Sequence, residues 1–276
     1  MFEHLTSNYV DADGLRTHYV EQGDGAPVIL IHGGGAGADG RGNFERNLSM
    51  YAKGYRAIAY DMPGFGLTDR PDPDDYAYTQ DSREEHLIAF IEALGLGPVH
   101  LVGNSMGGST ACGAALRRPD LVSSLVLMGA AVNMSSEDMH KNRANLGAVL
   151  AYDDTREGMI RIVDSLTYDF SYSDELIDYR YKMSIRPEAK KAFKSLMGWV
   201  GQNGLDYGDA LASLEMPVLV VAGKDDVMIP VAKQYELLEQ VPSAKGVILP
   251  RCGHWVMMEY PEEFCAITME FFGKAA

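Results

Sequence analysis

Short apolar runs alternate with stretches of helical period along the first half of the chain. Residues 28–31, 56–60, 99–102 and 125–128 are rich in Val, Ile, Leu and Ala and predict buried strands. Between them, residues 83–94 place Leu87, Phe90, Ile91 and Leu94 at helical spacing. Strand, helix and strand in alternation predict a mostly parallel sheet covered on both faces. Ahead of these, Tyr9-Val10 and Thr17-His18-Tyr19-Val20 flank Asp13-Gly14, which predicts an antiparallel hairpin at the sheet edge.

The rhythm changes after Gly129. Residues 132–211 read as helical, rich in Met, Tyr and charge, with no clear buried strand. Pro217-Val218-Leu219-Val220-Val221 then restores the strand signal, and Gly246-Val247-Ile248-Leu249 supplies another. The pattern predicts one α/β core made of residues 1–131 and 212–276, interrupted by a helical lid over 132–211.

Composition narrows the function. The 276 residues are 46% hydrophobic and 23% charged, which excludes a disordered or fibrous chain. The formal net charge of −15 disfavours nucleic acid and anionic membranes as partners. An anionic substrate would need a cation of its own inside the site. Cys112, Cys252 and Cys265 form no CxxC pair, as suits a reducing cytoplasm. The start, Met1-Phe2-Glu3-His4, lacks a basic region followed by an apolar one, and no apolar run approaches membrane-spanning length. The expectation is a soluble, cytoplasmic protein.

Gly103-Asn104-Ser105-Met106-Gly107-Gly108 follows directly on the strand ending at Val102, and small residues Ala111, Ala114 and Ala115 lead into a helix. This is G-x-S-x-G in a strand–turn–helix context, where a sharp turn projects the serine hydroxyl and the flanking glycines allow close packing. Ser105 is the candidate nucleophile, and the Met106 amide points to the same spot. A serine needs a base, and the base an orienting acid. His254, in Arg251-Cys252-Gly253-His254-Trp255, follows a predicted strand and precedes the last helix, unlike His4, His18, His86, His100 and His140, which read as surface or core residues. Asp226 lies after the strand at 218–221, with Asp225 the competing choice; Gly223-x-x-Asp226-x-x-x-Pro230 is the spacing that favours Asp226. The chain order Ser105, Asp226, His254 differs from the two main protease orders. The loop His32-Gly33-Gly34-Gly35-Ala36-Gly37 follows another strand, and its glycines allow close backbone approach, with Gly34 the candidate second oxyanion donor beside Met106.

Gly35-x-Gly37-x-x-Gly40, with Asp61 ending the next strand, also fits a dinucleotide fingerprint. Against it, the match is partly a product of glycine abundance. Asp61 runs into the turn Met62-Pro63-Gly64-Phe65-Gly66, and the reading leaves Ser105, Asp226 and His254 without roles.

On these residues the whole chain resembles the α/β-hydrolases and, more narrowly, the meta-cleavage product hydrolases, which split carbon–carbon bonds in bacterial aromatic catabolism. The segments that carry the likeness are residues 32–37 with Asn43-Phe44, residues 103–108, Gly253-His254-Trp255, and Arg180-Tyr181 in the lid. Gly35-Ala36-Gly37 and Gly42-Asn43 look most like the branch acting on carbazole and dibenzofuran catabolites. The resemblance implies an eight-stranded, mostly parallel sheet with helices on both faces and an inserted helical lid. It implies a 2-hydroxy-6-oxohexa-2,4-dienoate as the small-molecule anionic substrate, with 2-hydroxyphenyl or 2-aminophenyl at C6, and no metal or cofactor. Members are usually dimers or larger, so a homodimer is expected.

In such a reaction the dienol ketonises, taking a proton at C5, and the C5–C6 bond then breaks in a retro-Claisen step. The resemblance assigns Arg180, Asn43, Asn104, Gly35 and Trp255 to the substrate, with Arg180 gripping the C1 carboxylate and Arg186 the rival for that place. Gly34 and Met106 would hold the oxyanion at C6, and His254 would move protons in both steps, oriented by Asp226. Attack by Ser105 and activation of water for a gem-diol are both open at this stage. Leu150, Leu166, Met183, Met197 and Trp199 are candidate linings, and Tyr168, Tyr172, Tyr179 and Tyr181 candidate contacts to a hydroxylated ring. A carboxylesterase or lactonase with the same triad is the alternative enzyme; a hydrolase-fold receptor for a small ligand is the remote non-enzymatic one.

Overall fold

The computed structural model describes residues 5–275, so the reading of Met1–His4 lies outside the described residues. An eight-stranded sheet is built from β1 (Asn8–Ala12), β2 (Leu15–Gln22), β3 (Ala26–Ile31), β4 (Tyr55–Tyr60), β5 (Val99–Asn104), β6 (Val122–Met128), β9 (Val218–Gly223) and β10 (Lys245–Leu249). Its spatial order is β1-β2-β4-β3-β5-β6-β9-β10, with every pairing parallel except β1–β2 and β2–β4. The edge hairpin turns at Asp13-Gly14, where both residues adopt positive φ. Alternate side chains feed two separate cores. Ile29 and Ile31 pack on one face of β3, and Val28 and Leu30 on the other, as a doubly covered sheet requires.

Helices α1 (Gly40–Tyr51), α2 (Gln80–Ala93), α3 (Met106–Arg117), α9 (Val231–Gln240), α10 (Val256–Glu259) and α11 (Pro261–Ala275) cover the sheet. Their starts are set by local chemistry. Asp39 caps α1 by accepting the Gly42 amide, and Thr79 and Ser82 form a reciprocal capping box at α2.

Between β6 and β9 the chain forms α4 (Ser136–Lys141), α5 (Gly147–Leu150), α6 (Arg156–Leu166), α7 (Asp174–Ser184) and α8 (Pro187–Asn203). Met159, Ile162, Val163 and Leu166 form the buried stripe of α6, at the spacing of a helix lying on a core. The sequence reading found no strand here, yet β7 (Asn133–Ser135) pairs antiparallel with β8 (Gly204–Asp206) and ties the two ends of the helical segment together. Three residues per strand are too few to show a period, which is why the pattern missed them. No helix among the described residues is long and apolar enough to cross a membrane.

Candidate active site

The turn between β5 and α3 holds Ser105 at φ 56° and ψ −121°, a conformation that strains any residue with a Cβ. The surroundings enforce it. A Cβ on Gly103 would lie 2.4 Å from the Gly107 carbonyl, and one on Gly107 would lie 2.4 Å from the carbonyls of Ile31 and His32. The turn therefore wedges against the end of β3, and only glycines fit on either side. Ser105 occupies the cap position of α3 but makes no side-chain cap bond, so the hydroxyl is not spent on the helix.

His254 lies in the loop after β10, 3% exposed, with Nδ1 2.7 Å from Asp226 Oδ2. The other oxygen of Asp226 accepts the amides of Met228 (2.8 Å) and Ile229 (3.0 Å), which fixes the carboxylate in the loop after β9. Asp225 is exposed and makes no such contact with the ring. The Leu166 carbonyl, at the end of α6, accepts both the His254 amide (2.9 Å) and the Trp255 amide (3.1 Å). The histidine loop is thus bolted to the helical insertion. The sequence reading did not find this link, because it runs through main-chain atoms.

Ser105, His254, Gly34, Gly35 and Met106 all line one cavity between the sheet and the inserted helices, with an empty volume of about 730 Å³. Gly34 packs on Met106: a Cβ there would lie 2.9 Å from Sδ. Asn43, Asn104, Arg180 and Trp255 line the same space. Arg180 is 1% exposed, donates to Asn43 Oδ1 at 3.0 Å and to the Ala36 carbonyl at 3.3 Å, and sits 4.8 Å above the Trp255 ring. Its Nε has no partner, and no carboxylate forms an ion pair with it among the described residues. Burial pushes its pKa down to about 10, so it remains a cation at neutral pH. The charge of Asp39 acts on it without direct contact, and a buried guanidinium with no carboxylate on its N–H groups is costly, so the cavity it faces is where an anion would pair with it. Arg186, the rival, lies at the start of α8 and does not line this cavity.

Asn104 has its amide nitrogen held by main-chain carbonyls. Its Nδ2 already donates to the carbonyls of Met128 (3.2 Å) and His254 (3.4 Å), while Oδ1 is buried without a partner. The group left to a ligand is an acceptor. Of the candidate linings, Leu166 and Met197 face the cavity; Leu150 and Met183 line a neighbouring pocket, and Trp199 lies near β8. None of Tyr168, Tyr172, Tyr179 and Tyr181 lines it. The far wall comes instead from Met139, Leu146, Val149, Val200 and Leu205, none of which stood out in the sequence from ordinary core residues.

The dinucleotide reading fails on Asp61. Its oxygens accept the Gly40 amide (2.8 Å), the Leu67 amide (2.8 Å) and His18 Nδ1 (2.7 Å), and it is fully buried. It serves the fold and has no face for a ribose.

Comparison with known proteins agrees with this geometry. Residues 26–261 match the family described as alpha/beta hydrolase fold. A 2-hydroxy-6-oxo-6-(2'-aminophenyl)hexa-2,4-dienoic acid hydrolase of Metapseudomonas resinovorans is 43% identical over 97% of this chain and 91% of its own. A solved serine hydrolase involved in carbazole degradation superposes with a TM-score of 0.87 at 41% identity, covering 98% of this chain and 99% of that one. A meta-cleavage product hydrolase from Pseudomonas fluorescens IP01 gives 0.88 at 35% identity, covering 98% of each. The chain belongs to the α/β-hydrolases and, within them, to the meta-cleavage product hydrolases.

Proposed function

We propose that the protein adds water across the C5–C6 bond of a 2-hydroxy-6-oxo-6-arylhexa-2,4-dienoate, releasing an aromatic carboxylic acid and 2-hydroxypenta-2,4-dienoate. The observation that carries this beyond a generic ester hydrolase is Arg180, buried and without a carboxylate partner, on the same cavity as Ser105 and His254. A monocarboxylate at C1 satisfies it, and the 2-hydroxyl would donate to the unpartnered Oδ1 of Asn104. Asn43 and Trp255 hold the guanidinium in place, and Gly35, 3.5 Å from Arg180 at the position of a Cβ, leaves the carboxylate room.

His254 first carries the 2-hydroxyl proton to C5, which regenerates the C2 ketone. Ser105 then gives its proton to His254 as its oxygen bonds to C6, and the amides of Gly34 and Met106 take up the oxyanion. The C5–C6 bond breaks, and its electron pair moves through the C3–C4 alkene onto the C2 oxygen, which is protonated to the dienol. Water activated by His254 releases the aryl carboxylate and restores the serine. Asp226 keeps the ring in one tautomer through the 2.7 Å bond. Residues 132–211 act as the lid that closes this cavity, over the core of residues 1–131 and 212–276. We also propose a homodimer in the cytoplasm, on family membership and on the place of β10 as an edge strand among the described residues.

The test is the bleaching of the yellow 6-phenyl dienoate, with p-nitrophenyl acetate as the control. Bleaching that Ser105→Ala abolishes and Arg180→Met weakens, with poor ester turnover, is the expected result. Brisk ester hydrolysis without bleaching would leave an esterase. Light scattering of the purified protein decides the dimer, a single-chain mass being the contrary result.

A further inference from the structure

Glu259 ends α10, the short helix after the histidine loop, and its carboxylate folds back across that loop. Oε1 accepts the Gly253 amide at 2.7 Å, one residue before His254. Oε2 accepts the amides of Tyr168 (2.9 Å) and Asp169 (3.4 Å), just past the end of α6. Burial raises the pKa of Glu259, and the three amides pull it back toward the ionised form. Gly253 packs on the same stretch of chain: a Cβ there would lie 2.8 Å from the Thr167 carbonyl carbon. One carboxylate thus joins the histidine loop to the helical insertion, beside the base.

His254 needs such a tie. Asp226 holds its ring at one atom, Nδ1, about which the ring can still pivot. Its main chain is held by the Leu166 carbonyl on the amide and by Asn104 Nδ2 on the carbonyl. Leu166 belongs to the insertion, so its carbonyl is an anchor only while the end of α6 is itself fixed. Thr167 leaves that helix in an extended conformation, which frees the next two amides for Glu259. We propose that Glu259 is a positioning residue for the base, setting the His254 ring against Ser105 by clamping the histidine loop to the end of α6. It does not line the catalytic cavity and acts through His254 alone. The inference rests on the reading of His254 as base given above. A base displaced by about 1 Å can lose roughly 100-fold in rate, whereas a ligand gripped by Arg180 is bound as before.

The experiment uses Glu259→Gln and Glu259→Ala. It measures kcat and KM for the 6-phenyl dienoate, and the rate at which a fluorophosphonate labels Ser105 with loss of fluoride. Gln can turn its one oxygen to the buried Gly253 amide, which leaves its NH2 group facing the Tyr168 and Asp169 amides, so it cuts the tie to α6 alone. Ala removes both ties and leaves the Gly253 amide unpaired. Glu259→Gln should lower kcat about tenfold and Glu259→Ala up to about 100-fold, with KM within about threefold of the parent. Labelling should slow by the same factors, because that attack uses His254 and not Arg180. Lower melting midpoints with kcat of the folded enzyme unchanged would make Glu259 purely structural and overturn the proposal. A rise in KM in place of the fall in kcat would overturn it as well, since the effect would then lie in the substrate pocket. Should Glu259→Ala not fold, Glu259→Gln carries the test alone. Two controls separate this from the reading beneath it. If His254→Ala is labelled as fast as the parent, the base assignment itself falls. If the parent does not bleach the dienoate, the reaction assignment falls, and the labelling rates still decide the role of Glu259.

Discussion

Tyr179 donates its hydroxyl to Asp39 Oδ2 at 2.6 Å, and its neighbour Arg180 reaches Asn43, four residues further along the same stretch of chain. Asp39 caps α1 and Asn43 lies one turn into it, so α7 is docked on α1 at two successive rungs. Gly37 completes the contact: with φ +68°, it would place a Cβ 2.1 Å from the Arg180 carbonyl. The guanidinium is therefore aimed from the glycine loop that also carries Gly34. Tyr179→Phe removes one rung with little change of volume. It should raise KM for the dienoate about fivefold to tenfold while leaving p-nitrophenyl ester turnover unchanged. The increase should vanish in an Arg180→Met background. An equal loss in both backgrounds would mean that Tyr179 does not act through Arg180.

Arg180 itself carries a trade between stability and function. Its charge is buried with a neutral amide, a carbonyl and an indole ring as its contacts, and the Asp39 carboxylate acts on it only from beyond contact distance. Replacing a buried ion that has no direct ion-pair partner by an apolar side chain of similar length is often neutral or stabilising. Arg180→Met should thus unfold at an equal or higher denaturant concentration than the parent, while kcat/KM for the dienoate falls roughly 100-fold. A marked loss of stability would show that the guanidinium is compensated within the free protein.

Much of this was legible in the chain because it rests on local rules. The turn at Ser105 needs small residues at 103, 107 and 108 regardless of the remaining sequence, and the apolar runs mark the central strands without reference to their partners. Asp226 and His254 are picked out by their places after strands, and Arg180 by resemblance alone. Other features depend on tertiary distance. The Tyr179–Asp39 rung, the Leu166 carbonyl under His254 and the orientation of the Asn104 amide join segments far apart in sequence. Lid tyrosines drew attention as ring contacts, yet geometry sends Tyr179 to Asp39 and Tyr172 to Asp164. A capping aspartate directly after the glycine loop was the one local signal for that rung.

Strain at Ser105 offers a separate test. Its φ of 56° with ψ of −121° falls where glycine alone is at ease. Ser105→Gly should stabilise the fold by about 1 kcal/mol, whereas Ser105→Ala should not, and both should abolish turnover. Isothermal titration of either variant with the dienoate should still show binding, since Arg180 and the amides remain. Equal melting midpoints for the two variants would deny that the turn stores strain.

Acid stability follows from two buried histidines. His32 accepts the Met62 amide at Nε2 (3.1 Å) and lies 2.8 Å from the Gly33 carbonyl through Nδ1, so a second proton would break the first bond. Burial pushes its pKa down to about 4, and that of His86, enclosed by Thr17 and Tyr60, also to about 4. Both folded values lie below that of a free imidazole, so the unfolded chain binds more protons once the pH drops below about 6.5. Their contribution is whole above that pH and is lost as the pH falls toward 4, at about 3 kcal/mol each. Asp39 works in the opposite sense. Burial and the adjacent Asp61 raise it to about 6, so its contribution is present below about 4 and fades as the pH rises through 6. Glu45, pushed up by burial to about 7, acts in the same sense as Asp39, so denaturant unfolding of the parent across pH 4–7 should show only a shallow dependence, the two carboxylates offsetting the two histidines. Asp39→Asn should tilt the profile toward stability that rises with pH, because it removes one of the opposing carboxylates. Equal slopes in the parent and in Asp39→Asn would show that Asp39 is not protonated in the folded state near pH 5.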